Sequence, residues 1–318
     1  MIWVIGDIHG MLDPLVRLIY KIGWLHDHTD EHLEKMIFLG DYIDHGPSSR
    51  QVIDYILDLP FEKVFIMGNH DDLLLQFINQ SDLFTKYGNV WFRGNGGQRT
   101  VHSFCPHIHL DENEEDFDAS AFKLDDKYLN FFNNLKISHE ETIGNQKFVF
   151  MHGLLSNQFS VSEQMAIKTY DDFHLWRQEN HVWIEETMIW NRTEPQKRFD
   201  DFILVHGHIP TPKIGNIWPD FHDYRESDSD PLFKFEIIDD WQARIDASKI
   251  TEYRMDTRQE QLISINVDTG AVYGHSLCAL GISEKNLSEN HMIVYKVNVS
   301  NGYRMRGDFS FSKVYFSR

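Results

Sequence analysis

Short apolar runs that stop at glycine, each followed by a polar cluster, set the rhythm of this chain. Ile2 to Ile5 stops at Gly6, Met36 to Leu39 at Gly40, and Val64 to Met67 at Gly68. Leu12, Leu15, Val16, Ile19 and Ile22 recur at helical spacing after the first run. Asp13-Pro14 reads as an N-cap followed by proline at the first helical position. Ser48 or Ser49 can cap a second helix carrying Val52, Ile53, Ile56 and Leu57, and residues after His70 read as helix through Ile78. This β-α-β-α-β order predicts an α/β fold whose first strands are parallel.

The pattern changes further along. Residues 122 to 135 read as a helix with Tyr128, Leu129, Phe132 and Leu135 on one face. Phe148 to Met151, Phe202 to Val205 and Ile263 to Val267 read as strands. Residues 111 to 118 are an acidic surface excursion, and 215 to 260 lack clean periodicity and read as an insertion or lid. Asn301-Gly302 is a hairpin signal inside a C-terminal β extension at 290–318. We read residues 1–318 as a single domain carrying that insertion and that extension, with mixed rather than purely parallel sheets.

Composition narrows the function classes. With 42% hydrophobic and 14% aromatic residues, the chain can bury a full core. A formal net charge of -19 repels nucleic acid and anionic membrane, so neither is expected as a partner. The two cysteines, Cys105 and Cys278, imply no disulfide framework and fit a reducing compartment. The start of the chain lacks a basic lead, and no apolar window is long enough to span a bilayer. A cytoplasmic location is the expectation.

The polar clusters are what carry chemistry. Five strand ends release "GDIHG" at Gly6, "GDYID" at Gly40, "GNHD" at Gly68, "HG" at His152 and "HGH" at His206. One Gly-Asp after a strand is only a turn, but turn chemistry alone does not supply Asp, His and Asn at five strand ends. The first three clusters lie roughly thirty residues apart, the length of a βαβ unit. In such folds the carboxyl ends of neighbouring strands meet at one crevice. Carboxylate, imidazole and amide oxygen together suit borderline divalent ions such as manganese, iron or zinc. No cysteine takes part, which argues against a closed structural zinc site. An aspartate can bridge two ions, and two-metal sites serve in-line phosphoryl displacement.

The motifs "GDIHG", "GDYIDHG", "GNHDD", "MHG" and "HGHIP", in that order, resemble the phosphoprotein phosphatase branch of the calcineurin-like metallophosphoesterases. "WFRGNGGQRTV" at 91–101, "MIWNR" at 188–192 and "NVDTGAVYG" at 266–274 resemble its bacterial and phage members, including symmetrical diadenosine tetraphosphatases. The resemblance spans residues 1 to about 280. It implies two central mixed β-sheets flanked by helices, in four layers (α-β-β-α), and two divalent ions, with manganese first and iron or zinc as alternatives. It further implies that Asp7 and His9 hold one ion, Asp41 bridges, and Asn69, His152 and His208 hold the other. His70 would be the general acid, oriented by Asp44, with Arg192 at the phosphate and Tyr273 either a substrate-side tyrosine near the metals or a core or rim aromatic. The implied reaction is in-line attack of a metal-bridging hydroxide on a phosphomonoester, in a phosphorylated protein or a small molecule. Dinucleoside polyphosphate hydrolysis is the alternative, for which Trp218, Phe221, Tyr224, Phe233 and Trp241 could stack a base or simply pack the insertion. An inactive scaffold is the lesser alternative, and it predicts broken ligand motifs that this sequence does not show.

One departure stands out. The family pattern "GDxxDRG" has an arginine that grips phosphate, and here the residue is His45. Neutral imidazole lacks the bidentate fork. His45 is then a weaker phosphate ligand, or Arg50 or Arg93 takes over the clamp, or the substrate phosphate carries less charge.

Overall fold

The computed structural model describes residues 1–28, 32–79, 90–107, 122–193, 199, 201–210, 237–238, 241–245, 252–256, 261–288, 291–299 and 309–315. The strands begin with β1 (Ile2–Ile5), β2 (Lys35–Phe38), β3 (Glu62–Phe65), β4 (Ser138–Ile143), β5 (Gln146–Met151) and β6 (Phe202–His206). They continue with β7 (Ile237–Ile238), β8 (Trp241–Ile245), β9 (Glu252–Asp256), β10 (Gln261–Asn266), β11 (Ser276–Ile282), β12 (His291–Asn298) and β13 (Phe309–Tyr315). The helices that matter here are α1 (Leu12–His28), α2 (Ser49–Asp58), α3 (Asn69–Ile78), α4 (Gly97–Phe104), α5 (Asp126–Asn133), α6 (Val161–Ala166) and α7 (Tyr170–Glu179).

Two mixed sheets result. One runs β13-β12-β11-β1-β2-β3, and the other β4-β5-β6-β10-β9-β8-β7. As the periodicity predicts, β1, β2 and β3 are parallel, with Ile5 opposite Phe38 and Phe38 opposite Phe65. β11 closes on β1 antiparallel, which makes the sheet mixed. In the other sheet β5, β6 and β10 are parallel neighbours.

Alternation explains the layering, because successive side chains on a strand point to opposite faces. Val4, Ile37 and Val64 face inward with Phe148, Phe150, Val205 and Ile265 from the other sheet, forming one apolar layer between the sheets. Trp3, Ile5, Met36 and Phe38 face the other way, onto Leu15, Leu18, Val52 and Ile53 of α1 and α2. Val149, Met151 and Leu204 similarly share a core with Tyr170 and Phe173 of α7. Each central strand is thus covered on both faces, and its only open place is its end.

Several local expectations shift. Asp13 is not an N-cap: α1 already starts at Leu12, and Asp13 instead pairs with Arg17 at 2.8 Å, one turn on. Ser48 does precede α2, without a side-chain cap hydrogen bond. Residues 111–118, 215–236 and 301–302 lie outside the described residues. Of the stretch from 237 to 260, β7, β8 and β9 extend the second sheet from β10. The C-terminal extension is β12 paired antiparallel with β13.

Candidate metal centre

The strand ends meet as the spacing predicts. β1 delivers Asp7 and His9, β2 delivers Asp41 and Asp44, and Asn69 and His70 open α3 after β3. β5 delivers His152, and β6 delivers His206 and His208. All nine are nine-tenths or more buried. The loops are too tight for ordinary backbone. Among the described residues six non-glycine residues have positive φ, and five of them are His9, Asp41, Asp44, His45 and His208. Such conformations cost about 1–3 kcal/mol each and persist where the surroundings over-determine them. Asp71 is one such constraint: its Oδ2 accepts the backbone N–H of Asp41 and of Gly68, both at 2.9 Å, and its Oδ1 that of Tyr42 at 3.3 Å. Gly68 in turn lies so close that a Cβ there would come within 2.1 Å of the Asp41 Oδ1.

Two groups that could each hold an ion share one carboxylate. Ligand atoms of Asp7, His9 and Asp41 lie within 4.8 Å of one another, and so do those of Asp41, His152 and His208. The two oxygens of Asp41 divide between them: Oδ2 is 3.4 Å from His9 Nε2, and Oδ1 is 3.4 Å from His152 Nε2. Asn69 Oδ1 lies 3.0 Å from the same His152 nitrogen. The imidazoles are aimed from behind. His9 Nδ1 sits 2.9 Å from the Ile43 carbonyl, and His152 Nδ1 sits 2.8 Å from that of Leu39. Each ring thereby donates its Nδ1–H and turns Nε2 into the pocket, the usual backing of a metal-ligating histidine. His208 Nε2 lies 2.9 Å from the Trp190 carbonyl and 3.0 Å from Arg192 Nε. The Arg192 Nε–H donates to that nitrogen.

The electrostatics fit a bound cation. Burial, with Asp268 and Asp41 beside it, pushes the Asp7 carboxyl well above the usual carboxylate range. Burial and Asp41 raise Asp71 likewise. Burial opposes ionisation of Asp41 as well, yet the His152 and His70 imidazoles hold it well below that range. Burial pushes His9 down to about 4 and His208 well below its ordinary value, so these rings are poor permanent counter-charges. Burial opposes charging of His152, yet Asp41 raises it above its ordinary value, so the closely set carboxylates draw positive charge into the site, and carboxylate with imidazole is a donor set that suits a divalent ion.

A second arrangement lies beside the first. His70 Nδ1 is 2.7 Å from Asp44 Oδ2, which also accepts the indole N–H of Trp91 at 2.7 Å. Thr100 Oγ1 donates to Asp44 Oδ1 at 2.5 Å and accepts the Asp44 backbone N–H at 2.9 Å. Trp91 and Thr100 escaped the reading from residue types, although both sit in the quoted "WFRGNGGQRTV". A tryptophan and a threonine in an apolar context look like core. Asp71 and Asp268 were likewise visible only as motif letters.

The remaining residues divide. Arg192 stands over His208, and Tyr273 lies near the cluster. Burial and the Asp268, Asp41 and Asp7 carboxylates push the Tyr273 phenol up to about 12, against the pull of Arg192. His45 joins the site, its ring centroid 5.0 Å from that of His70. Arg50 does not: its Nε donates to the Tyr128 hydroxyl at 3.0 Å and faces Asp54 at 3.7 Å. The side chain of Arg93 lies outside the described residues. His206 Nδ1 turns to the Gly207 carbonyl, 3.0 Å away, and stays a neighbour of the cluster.

The model of the calcineurin-like phosphoesterase family matches residues 1–248, and the chain belongs to that family. Among curated proteins it is similar to the asymmetrical bis(5'-nucleosyl)-tetraphosphatase PrpE of Oceanobacillus iheyensis, 36% identical over 90 residues, or 27% of this chain and 36% of that one. It is also similar to the symmetrical bis(5'-nucleosyl)-tetraphosphatase of Legionella pneumophila (strain Corby), 37% identical over 73 residues, or 23% of this chain and 25% of that one. The chain thus spans about a quarter to a third of the length of these relatives. Among solved structures, a cold-active protein tyrosine phosphatase aligns over 92% of this chain and 75% of its own, at 15% identity and a TM-score of 0.47. No described helix is long and apolar enough to cross a membrane.

Proposed function

We propose that this chain is a dinuclear metal-dependent phosphohydrolase, with Asp7 and His9 holding one ion, Asn69, His152 and His208 the other, and Asp41 shared. The observation that carries the reading is the Asp41 carboxylate, whose two oxygens face His9 and His152 separately at 3.4 Å. Manganese suits this mixture of carboxylate, imidazole and amide oxygen, with iron and zinc as the other borderline ions. When bound, the ions supply Lewis acidity toward a phosphoryl oxygen and activate water. The protein's own groups do the rest. His70 presents Nε2 as proton donor to the leaving oxygen, Asp44 holds its Nδ1, and Arg192 offers a guanidinium fork to the phosphoryl oxygens. Tyr273 lines the rim. Phosphomonoesters, on proteins or on small molecules in the cytoplasm, are the first substrate class.

A second reading, dinucleoside polyphosphate hydrolysis, is favoured by His45. Burial and the neighbouring His9 and His70 hold its imidazole down to about 3, so at neutral pH it brings no positive charge. A wall without that charge suits an internal phosphoanhydride better than a dianionic monoester, and the similarity to tetraphosphatases points the same way.

The experiment is a manganese-supported turnover assay with phosphoserine and phosphotyrosine peptides in one arm and diadenosine tetraphosphate in the other. Faster peptide hydrolysis supports the first reading, and faster dinucleotide cleavage the second. Asp41→Asn is measured in parallel by metal analysis. Loss of both activity and metal is the expected result, whereas full metal content with full activity would refute the shared carboxylate. A chain that takes up no divalent ion would point instead to a scaffold.

A further inference from the structure

Three imidazoles converge beside the candidate metal centre. Ring centroids of His9 and His70 are 4.7 Å apart, those of His45 and His70 5.0 Å, and those of His9 and His45 5.1 Å, all edge to face. One ligand nitrogen of each lies within 4.8 Å of the other two. We propose that His45 and His70 form an additional divalent-cation site for zinc-like ions, beside the dinuclear pair, whose occupancy inhibits the enzyme.

The rings are preset for this. His70 gives its Nδ1 to Asp44 at 2.7 Å, and His9 gives its Nδ1 to the Ile43 carbonyl at 2.9 Å. A carboxylate or carbonyl behind a histidine fixes the tautomer and frees Nε2 as a ligand. His45 is held by its backbone, in the left-handed region at φ 57°. Gly96, at φ 85°, packs against it so tightly that a Cβ there would come within 2.2 Å of the His45 N and 3.1 Å of its Nδ1. Arg99 clamps the same residue from outside, donating Nη1–H to the His45 carbonyl.

The chemistry selects the ion. Two imidazole nitrogens on one tetrahedral zinc stand about 3.4 Å apart, given a Zn–N bond of about 2.0–2.1 Å. Modest ring rotation from the observed spacing reaches that. Imidazole donors without a carboxylate favour zinc, nickel or copper over magnesium or manganese. His9 Nε2 faces Asp41 at 3.4 Å and its single lone pair belongs to the dinuclear centre, so the new site rests on the His45–His70 pair with water completing the coordination. An arginine at position 45 cannot ligate, so the site exists only because this chain carries histidine there. An ion on His70 Nε2 occupies the nitrogen that the proposed function uses as proton donor; the inhibitory part of the inference rests on that reading, and the metal count does not.

The test is equilibrium dialysis of the full chain against rising free zinc, for wild type, His45→Arg and His45→Phe, with circular dichroism to confirm folding. Wild type should bind one zinc more than either variant. Equal counts in all three would overturn the proposal. The zinc retained by the variants reports separately on the dinuclear centre, so that reading can fail without the other. In manganese-supported turnover, half-inhibition by zinc should need a concentration about tenfold or more higher in His45→Arg than in wild type. Unchanged zinc sensitivity would overturn the inhibitory role.

Discussion

Replacing Thr100 by valine tests the second arrangement of the site at nearly constant shape. Thr100 and Asp44 are both fully buried. The substitution deletes the hydroxyl that donates to Asp44 Oδ1 at 2.5 Å and accepts the Asp44 N–H at 2.9 Å. A hydrogen bond to a charged group is worth about 1.5–3 kcal/mol, and an orphaned buried N–H costs about 1–3 kcal/mol. The two losses share one residue and do not simply add, so about 2–4 kcal/mol of stability should go, read as the free energy of urea unfolding. The effect on turnover should depend on the substrate. With Asp44 held only by Trp91, His70 Nδ1 loses its fixed partner and proton donation suffers. An alkyl phosphate, whose leaving oxygen needs that proton, should turn over about 10–100-fold more slowly, equivalent to about 1.4–2.7 kcal/mol. p-Nitrophenyl phosphate, with a good leaving group, should lose far less. Thr100→Ser should restore both. An equal fall on the two substrates, or none on the alkyl phosphate, would refute the argument that Thr100 acts through Asp44 and His70.

Other consequences can be measured with the same protein. His70→Asn should retain its metal by elemental analysis and lose alkyl phosphate turnover; full turnover would remove His70 as the acid. The -19 charge should steer basic phosphopeptides better than acidic ones, with a kcat/KM ratio that shrinks as salt rises, and a salt-independent ratio would contradict this. Burial holds His206 down to about 4. The unfolded chain binds a proton there below about 6.5 and the folded chain only below about 4, so His206 costs stability increasingly as pH falls through that window. Urea melts at pH 7 and pH 5 should show a smaller difference in His206→Asn than in wild type, and identical slopes would show that His206 is not responsible.

Much of this candidate site is legible without coordinates because its candidate ligands follow strands. An apolar run that ends at glycine announces a strand end, and parallel strands bring their ends together, so Asp7, Asp41 and Asn69 declare both their type and their place. His152 and His208 follow the same rule from the second sheet. The supports are harder to see. Trp91 comes from the turn before α4 and Thr100 from α4 itself, and their polar atoms serve Asp44 while their bulk sits in the core. Nothing in periodicity distinguishes an indole that donates to a carboxylate from one that only packs. Arg50 illustrates the opposite error: position near "GDYIDHG" suggested a clamp, but helical geometry turns its guanidinium to Tyr128 and Asp54. Helix starts are similarly weak evidence, as Asp13 shows, since one residue of fraying converts a cap into a first-turn ion pair.

The left-handed residues explain why such a site needs a thick sandwich around it. His9, Asp41, Asp44, His45 and His208 each hold a conformation that a free chain avoids. Their strain at about 1–3 kcal/mol apiece is comparable to the whole net stability of many domains. It persists because each loop is anchored twice, by a strand buried on both faces and by a contact across the pocket, such as Asp71 on the Asp41 N–H or Thr100 on that of Asp44. A chain lacking either anchor would relax these residues toward ordinary backbone and swing the carboxylates apart. The Asp7, Asp41, Asp71 and Asp268 carboxylates also repel one another in the pocket, so a bound cation and the strained loops would stabilise each other. It follows that melting temperature should rise with manganese and fall with chelator far more than surface binding could produce. The rise should vanish in Asp41→Asn, in which the anchors remain but the shared carboxylate is gone.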